Sequence, residues 1–391
     1  MPDFLAEANE LFEFTRFLRR DFHCHPELGF QEVRTAGVVA GELNALGLEV
    51  TTGVGKTGVV ALMEGSKPGP TVLLRFDMDA LPIIEDTGAE YASQNPGVMH
   101  ACGHDGHTAI GLTVARLLNA HRGEFSGTVK FVFQPAEEGM GGAEAMIQDG
   151  VLDNPRPEFA LGLHLWNDQP LGWLGIADGP VMAAADVFHL RITGKGGHGA
   201  LPHLAVDPVL ASAQIVTALQ GIVSRNVAPL DSGVVSVTTI HGGEAFNVIP
   251  PTVEMSGTIR TFDPDTRRMV LDCFEQVVKG VAGAMGCRAN LEVQSLTPAV
   301  VNRPEVAAHV RSSAEQTLPD HTIQAHFATM GSEDMAYLLQ QVPGCFFFLG
   351  SSNAERDLNY PHHHPRFDVD EVVLPRASAL MAAAAFGLLD E

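Results

Sequence analysis

Basic residues are scarce. The chain has 24 Lys and Arg against 47 Asp and Glu, a formal net charge of −23 at pH 7. A surface so acidic repels phosphate backbones and anionic lipid, which argues against nucleic acid and membrane surfaces as partners. Long apolar runs are missing too: no stretch of about 18 apolar residues occurs, so no membrane-spanning helix is expected. Cysteine is sparse, with five residues (Cys24, Cys102, Cys273, Cys287, Cys345), odd in number and widely scattered. That pattern predicts reduced thiols and a cytoplasmic setting, not a disulfide framework. The N-terminal stretch through Arg20 carries early acids and no uninterrupted apolar segment, so it is expected to be an amphipathic helix and not a secretory signal. Internal repeats, coiled-coil heptads and low-complexity segments are also lacking.

What is present is a globular, loop-rich chain of 391 residues, 45% hydrophobic, with 40 Gly and 24 Pro. That length exceeds one ordinary core, so two domains are expected. Four short β-branched or aromatic runs each lead into polar, chemically capable residues. Residues 72–76 run into Asp77-Met78-Asp79, and residues 128–133 run into Gln134-Pro135-Ala136-Glu137-Glu138. Residues 159–163 deliver His164, and residues 345–349 precede the loop holding His362-His363-His364. Continuous apolar runs of this kind predict central strands buried on both faces. Helical stretches such as 108–121 lie between them, so the fold class is α/β with a mostly parallel sheet. The functional crevice of such a sheet lies beyond the carboxyl ends of its strands, where these residues fall.

From about residue 181 to 296 the pattern changes. Residues 187–193 alternate like a half-exposed strand, and 207–223 are helical in period. Residues 234–240 and 252–261 predict strands, 264–285 a helix and 289–294 a last strand. The order β-α-β-β-α-β is that of a ferredoxin-like α+β module. The expected organisation is a discontinuous catalytic domain, 1–180 and 297–391, with 181–296 inserted into it.

The densest chemistry is His100-Ala101-Cys102-Gly103-His104-Asp105-Gly106-His107. Cys102 and His104, one residue apart, can reach one ion from a turning backbone but not from one face of a helix. Thiolate, imidazole and carboxylate together suit Zn²⁺, Mn²⁺, Co²⁺ or Ni²⁺ better than Ca²⁺ or Mg²⁺. A buried hydrophobic Cys beside surface histidines is a fair alternative for any one residue and a poor one for the cluster.

At this point the chain resembles the M20 metallopeptidase clan, in its amidohydrolase branch. The resemblance is carried by residues 20–30, Asp77-Met78-Asp79-Ala80-Leu81-Pro82, residues 100–107, 134–139, Gly162-Leu163-His164, 194–203, Asn247-Val248-Ile249-Pro250, 330–334 and 363–368, in the family's order along almost the whole chain. It implies two divalent metal ions per subunit and an inserted lid that also dimerises, hence a homodimer or higher homo-oligomer. The implied metal ligands are Cys102, His104, Glu138, His164 and His363, with Cys102 standing where peptidase relatives have a metal-bridging Asp. His363 is chosen over its neighbours because the family's ligand lies two residues before the Pro, here Pro365. Glu137 is the implied general base, and Asp79 and Asp77 support the site. His198 is implied to reach the partner subunit's active site and stabilise the oxyanion, while Asn247 and Arg260 bind the substrate's carboxylate. Phe76 stands where a small residue is usual and is expected to narrow the pocket floor.

Each role has a plainer competitor. Glu137 and Glu138 could be solvated surface acids, but Pro135 and Gly139 frame a tight turn around them. His164 could be a satisfied core histidine, and its companions reverse those odds. For Arg260 a surface salt bridge is nearly as good a reading. His23, His25 and His107 are expected to be structural or to orient ligands. The implied activity is metal-dependent hydrolysis of the amide of an N-acyl amino acid, of hippurate type, a small-molecule substrate. The competing readings are a dipeptidase or carboxypeptidase of the same clan, a non-catalytic metal- or peptide-binding relative, and acyl transfer through a Cys102 nucleophile.

Overall fold

The computed structural model describes residues 2–389. The chain forms two compact units. One comprises the residues up to Val181, Val300–Ala328 and the residues from Asp334 onward; the other comprises Met182–Ala299 and Thr329–Glu333.

The first unit is built on an eight-stranded sheet. Its strand order is Glu49–Val54, Gly58–Glu64, Ser126–Gln134, Lys67–Asp77, Phe159–Pro170, Gly344–Ser352, Trp173–Gly175 and Thr322–Gln324. The middle four strands pair in parallel, and antiparallel pairs flank them. Residues 72–76 are all at most 1% exposed, as a strand covered on both faces requires. Leu161, Leu163 and Leu165 join the large core on one face, while the intervening Gly162 faces Met335 and Phe346 on the other. The strand that carries His164 continues to Pro170, so this imidazole projects from mid-strand and not from a loop after the strand.

Two helices, His104–Ala120 and Val373–Leu389, are buried along nearly their full length. Phe76 packs beneath the first of them. A Cβ at Gly111 would come within 2.6 Å of its ring and 2.8 Å of Phe133. Phe76 is therefore part of the helix–sheet core and does not form the pocket floor expected from the sequence. The N-terminal stretch also differs from one continuous helix: it forms Phe4–Glu10 and Phe12–Cys24, with a break at Leu11, whose ψ of 4° departs from the helical value. No helix among the described residues is long and apolar enough to cross a membrane.

The second unit follows the ferredoxin-like path. Ala184–Thr193, helix Pro208–Arg225, Gly233–His241, Thr252–Thr261, helix Pro264–Ala284 and Arg288–Thr297 follow in sequence. In the antiparallel sheet, Gly233–His241 is at one edge, then Thr252–Thr261, Ala184–Thr193 and Arg288–Thr297. Phe188, Leu190 and Ile192 point into the core with the helices, while His189 and Arg191 between them are exposed. Asp207 and Asp263 cap the two helices by accepting backbone N–H bonds, each followed by Pro at the first helical position.

Candidate metal centre

Parallel pairing places Asp77 opposite Gln134 at the ends of neighbouring strands. The turn after Gln134, the loop before helix His104–Ala120 and the loop around His363 converge on this edge. Two groups of potential ligand atoms result, each with its members within 4.8 Å of one another: Cys102, His104 and His164; and Cys102, Glu138 and His363. Cys102 is common to both. Its Sγ lies 3.5 Å from Nε2 of His164.

The hydrogen bonds fix which ring nitrogens face inward. His104 donates from Nδ1 to the carbonyl of Asp79 at 2.9 Å, and His164 donates from Nδ1 to the carbonyl of Leu165 at 2.8 Å. Both therefore turn Nε2 toward the pocket. His104 Nε2 and Glu138 Oε1 are buried without a hydrogen-bond partner among the described residues. Glu138 Oε1 lies 3.3 Å from Nε2 of His363, close enough for charge attraction but without hydrogen-bond geometry. Buried polar atoms with no partner are costly, and a cation that displaces any proton there would satisfy them. Ligand atoms of Asp77, His104 and His107 also lie within 4.8 Å of one another, as do those of His104, Glu137 and Glu138. His107 is already spent: the Leu165 N–H donates to its Nε2 at 2.9 Å, and its Nδ1 pairs with Asp77 at 2.7 Å.

The electrostatics favour positive charge here. Burial lowers the His104 imidazole, but Asp77 and Asp79 outweigh it and raise it to about 10. Burial, reinforced by Glu138 and Glu137, pushes the Cys102 thiol well above its ordinary range. Burial and the neighbouring His107 and His362 hold His164 far below the usual imidazole range. Protonated His104, protonated Cys102 and a neutral His164 beside several carboxylates form a pocket that exchanges protons for a cation. The residues fit a divalent metal.

The His362-His363-His364 run separates by geometry. His363, at φ 64°, faces Glu138 and donates its backbone N–H to Ala101 at 2.8 Å. His362 is half-buried, pairs with the Leu165 carbonyl at 3.0 Å and lies 4.7 Å from the Trp166 ring. His364 stacks on Tyr360.

Asp79 accepts the Glu138 N–H at 3.0 Å, and the Asp334 N–H approaches Glu137 at 3.4 Å. Beneath this turn lies a buried network to which the sequence reading gave no role. Arg75 donates to Asp77 at 2.6 Å, to Gln134 at 2.8 Å and to Asp334 at 3.0 Å. Asp334 also accepts from Ala143 N at 2.9 Å. The available signal was Arg75 itself, a charge inside an otherwise apolar strand two residues before Asp77.

In the second unit, His198 and Asn247 come together. The strands Gly197–His198 and Val248–Ile249 pair, and the Gly199 N–H donates to the Asn247 carbonyl at 2.8 Å. Both side chains are exposed. The Ala200 N–H donates to His198 Nδ1 at 3.1 Å, which leaves Nε2 as the hydrogen donor. Arg260 is elsewhere. It pairs with Ala185 near the far end of the strand that begins at Thr252 opposite Thr193, about 26 Å from Thr252 at 3.3 Å per residue. Arg260 therefore lies at the opposite end of that strand from the segment that leads into it from Asn247. Burial depresses the Arg260 pKa, and its guanidinium donates to Thr258 and to the Ile259 carbonyl.

This donor set on a mostly parallel α/β sheet defines a metal-dependent hydrolase. The model of peptidase family M20/M25/M40 matches residues 73–385, and the chain belongs to that family. It is 41% identical to an N-acetyl-L-cysteine deacetylase of Bacillus subtilis over 95% of this chain and 88% of that one. It is 40% identical to thermostable carboxypeptidase 1 of Saccharolobus solfataricus over 94% and 93% of the two chains. Among solved structures, a dinuclear metal-binding M20 peptidase of Bacillus subtilis superposes with a TM-score of 0.85 at 35% identity, covering 97% of this chain and 99% of that one.

Proposed function

We propose that this protein hydrolyses the amide bond of N-acyl amino acids, hippurate-like substrates among them, to a carboxylic acid and a free amino acid. The observation that carries the reading is the pair of ligand groups sharing Cys102 beside the Glu137–Glu138 turn. His104 and His164 would complete one of two metal positions and Glu138 and His363 the other, with Cys102 between them. When bound, two divalent ions (Mn, Zn, Co or Ni) supply Lewis acidity that polarises the scissile carbonyl and lowers the pKa of water.

Glu137 takes the attacking water's proton and passes it to the leaving amine. Asp79 keeps Glu138 in position through the Glu138 N–H, and Asp77 fixes His107, which in turn is held by the Leu165 N–H. His198 donates from Nε2 to the developing oxyanion. Its exposure supports delivery into a partner subunit's site. On this reading Asn247 travels with His198 across a homodimer, while Arg260 serves its own subunit. The inserted unit is then both lid and dimerisation domain. Five unpaired cysteines support a reducing, cytoplasmic setting.

Relatives include both a deacetylase of an N-acyl amino acid and a carboxypeptidase, so the peptidase reading has a specific observation behind it. Acyl transfer through Cys102 has the raised thiol pKa against it, because the nucleophile is the thiolate. A non-catalytic relative would lose its base or a ligand, and both are present here. The test is amino-acid release from acetyl, benzoyl, indole-acetyl and longer acyl amino acids, beside unblocked di- and tripeptides, with Mn²⁺, Co²⁺ or Zn²⁺. Turnover of the acylated compounds above the peptides supports the proposal. Turnover confined to the peptides replaces it with the peptidase reading.

A further inference from the structure

The block His25-Pro26-Glu27-Leu28-Gly29-Phe30-Gln31-Glu32 lies far along the chain from every ligand and has no part in the chemistry above. Its geometry gives it one. Glu32 immediately precedes helix Val33–Ala45, makes no side-chain bond to the helix end, and is fully buried. One carboxylate oxygen accepts the backbone N–H of Ala136 at 2.8 Å, and the other accepts the Thr57 hydroxyl at 2.5 Å. Ala136 immediately precedes Glu137. It is itself fully buried and sits at φ 53°, a left-handed conformation that a side chain with a Cβ adopts only when its surroundings enforce it.

Two neighbours make that conformation possible. A Cβ at Gly29 would come within 3.1 Å of Cα and Cβ of Ala136 and 2.9 Å of Met140 Sδ, so a larger residue there would crowd the turn. The Ala136 carbonyl accepts from Gly142 N at 3.1 Å, and a Cβ at Gly142 would reach within 1.6 Å of the Pro135 carbonyl. The turn is thus held at both ends by buried carboxylates: Glu32 on the Ala136 N–H and Asp79 on the Glu138 N–H. Glu137 is the residue between them.

We infer that Glu32 is a positioning residue for the active site, and that its hydrogen bond to Ala136 fixes the strained turn that aims Glu137 at the substrate and Glu138 at the metal. The roles of Glu137 and Glu138 rest on the function proposed above. What the turn needs from Glu32 is an acceptor at full reach, not a charge. Burial raises the Glu32 carboxyl above its ordinary range, in keeping with a site that tolerates a neutral group. Displacing a catalytic group by about 1 Å can lower turnover by roughly 10²-fold.

Two substitutions separate reach from charge. Glu32→Gln keeps an acceptor oxygen for Ala136 and offers its amide to Thr57, while Glu32→Asp keeps the charge but withdraws it by about 1.5 Å, one carbon–carbon bond. Each metal-loaded variant is compared with wild type in kcat, KM and hydrogen exchange of residues 134–139. Glu32→Gln is expected within about 3-fold of wild type in all three. Glu32→Asp is expected to lose about 10- to 100-fold in kcat with KM within about 3-fold, and to exchange at least about 10-fold faster across the turn. Ala136→Gly in the Glu32→Asp background should recover part of the lost kcat, because glycine adopts a positive φ without strain. Unchanged exchange in Glu32→Asp, or an active Glu32→Asp beside an inactive Glu32→Gln, overturns the inference. Exchange reads the turn without substrate, so a wild type inactive on every N-acyl amino acid would refute the proposed function and still leave the clamp itself decided.

Discussion

Cys102 and His164 place their donor atoms 3.5 Å apart, sulfur to Nε2, although 61 residues separate them in the chain. With His104 protonated up to about 10 and the Cys102 thiol held well above its ordinary range, the metal-free pocket carries protons that a cation must displace. Metal uptake at pH 7 should therefore release about two protons per chain, read by titration calorimetry in buffers of different ionisation enthalpy. Cys102→Ser should release about one fewer. Uptake that releases none would remove Cys102 and His104 from the metal shell.

Gly111 faces Phe76 and Phe133 at distances that leave no space for a methyl group. Gly111→Ala should lower stability by about 1–3 kcal/mol through overpacking, despite the better helix propensity of alanine. A lowered Tm is expected; a raised one would contradict the packing described.

His23 is fully buried between Asp105, 2.7 Å away, and Glu85, 3.3 Å away. Burial lowers its pKa, the two carboxylates outweigh burial, and the result is about 9. A folded-state pKa above the unfolded value of about 6.5 stabilises the protein fully below pH 6.5, and the contribution is lost as pH rises through about 9. Its size is on the order of 3 kcal/mol. Denaturant midpoints measured from pH 6 to 10 should fall across that window, and His23→Gln should flatten the fall.

If His198 serves the partner's site, mixing inactive His198→Ala with inactive Glu137→Gln chains should restore activity. After complete exchange of equal amounts, half the dimers are hybrids with one intact site, so about a quarter of wild-type activity should return. Chains that demonstrably exchange and stay inactive would place His198 in its own subunit's site or outside catalysis.

The alternation of apolar runs with helical periods, and the spacing of Cys102, His104 and the Glu137–Glu138 pair, made the α/β class and the metal chemistry legible in the sequence. These signals are local. What escaped depends on long-range geometry. The Arg75 network joins strands and a loop from three parts of the chain, and no spacing rule announces it. Phe76 occupies a suggestive sequence position, but its ring follows strand alternation into the helix-covered core. The separation of Arg260 from His198 and Asn247 follows from antiparallel register, which sends the two ends of Thr252–Thr261 in opposite directions. The break at Leu11 interrupts an amphipathic pattern that continues on both sides of it.

The central claim is that Glu137 is the base of a metal-dependent amide hydrolysis, and Glu137→Gln tests it most directly. The amide is isosteric with the carboxylate and Glu137 is not among the proposed ligands, so metal content and Tm should match wild type. Measured with metal content determined on the same sample, kcat on the best N-acyl amino acid should fall by about 10²–10⁴-fold. Near-normal kcat with unchanged metal content would contradict the account.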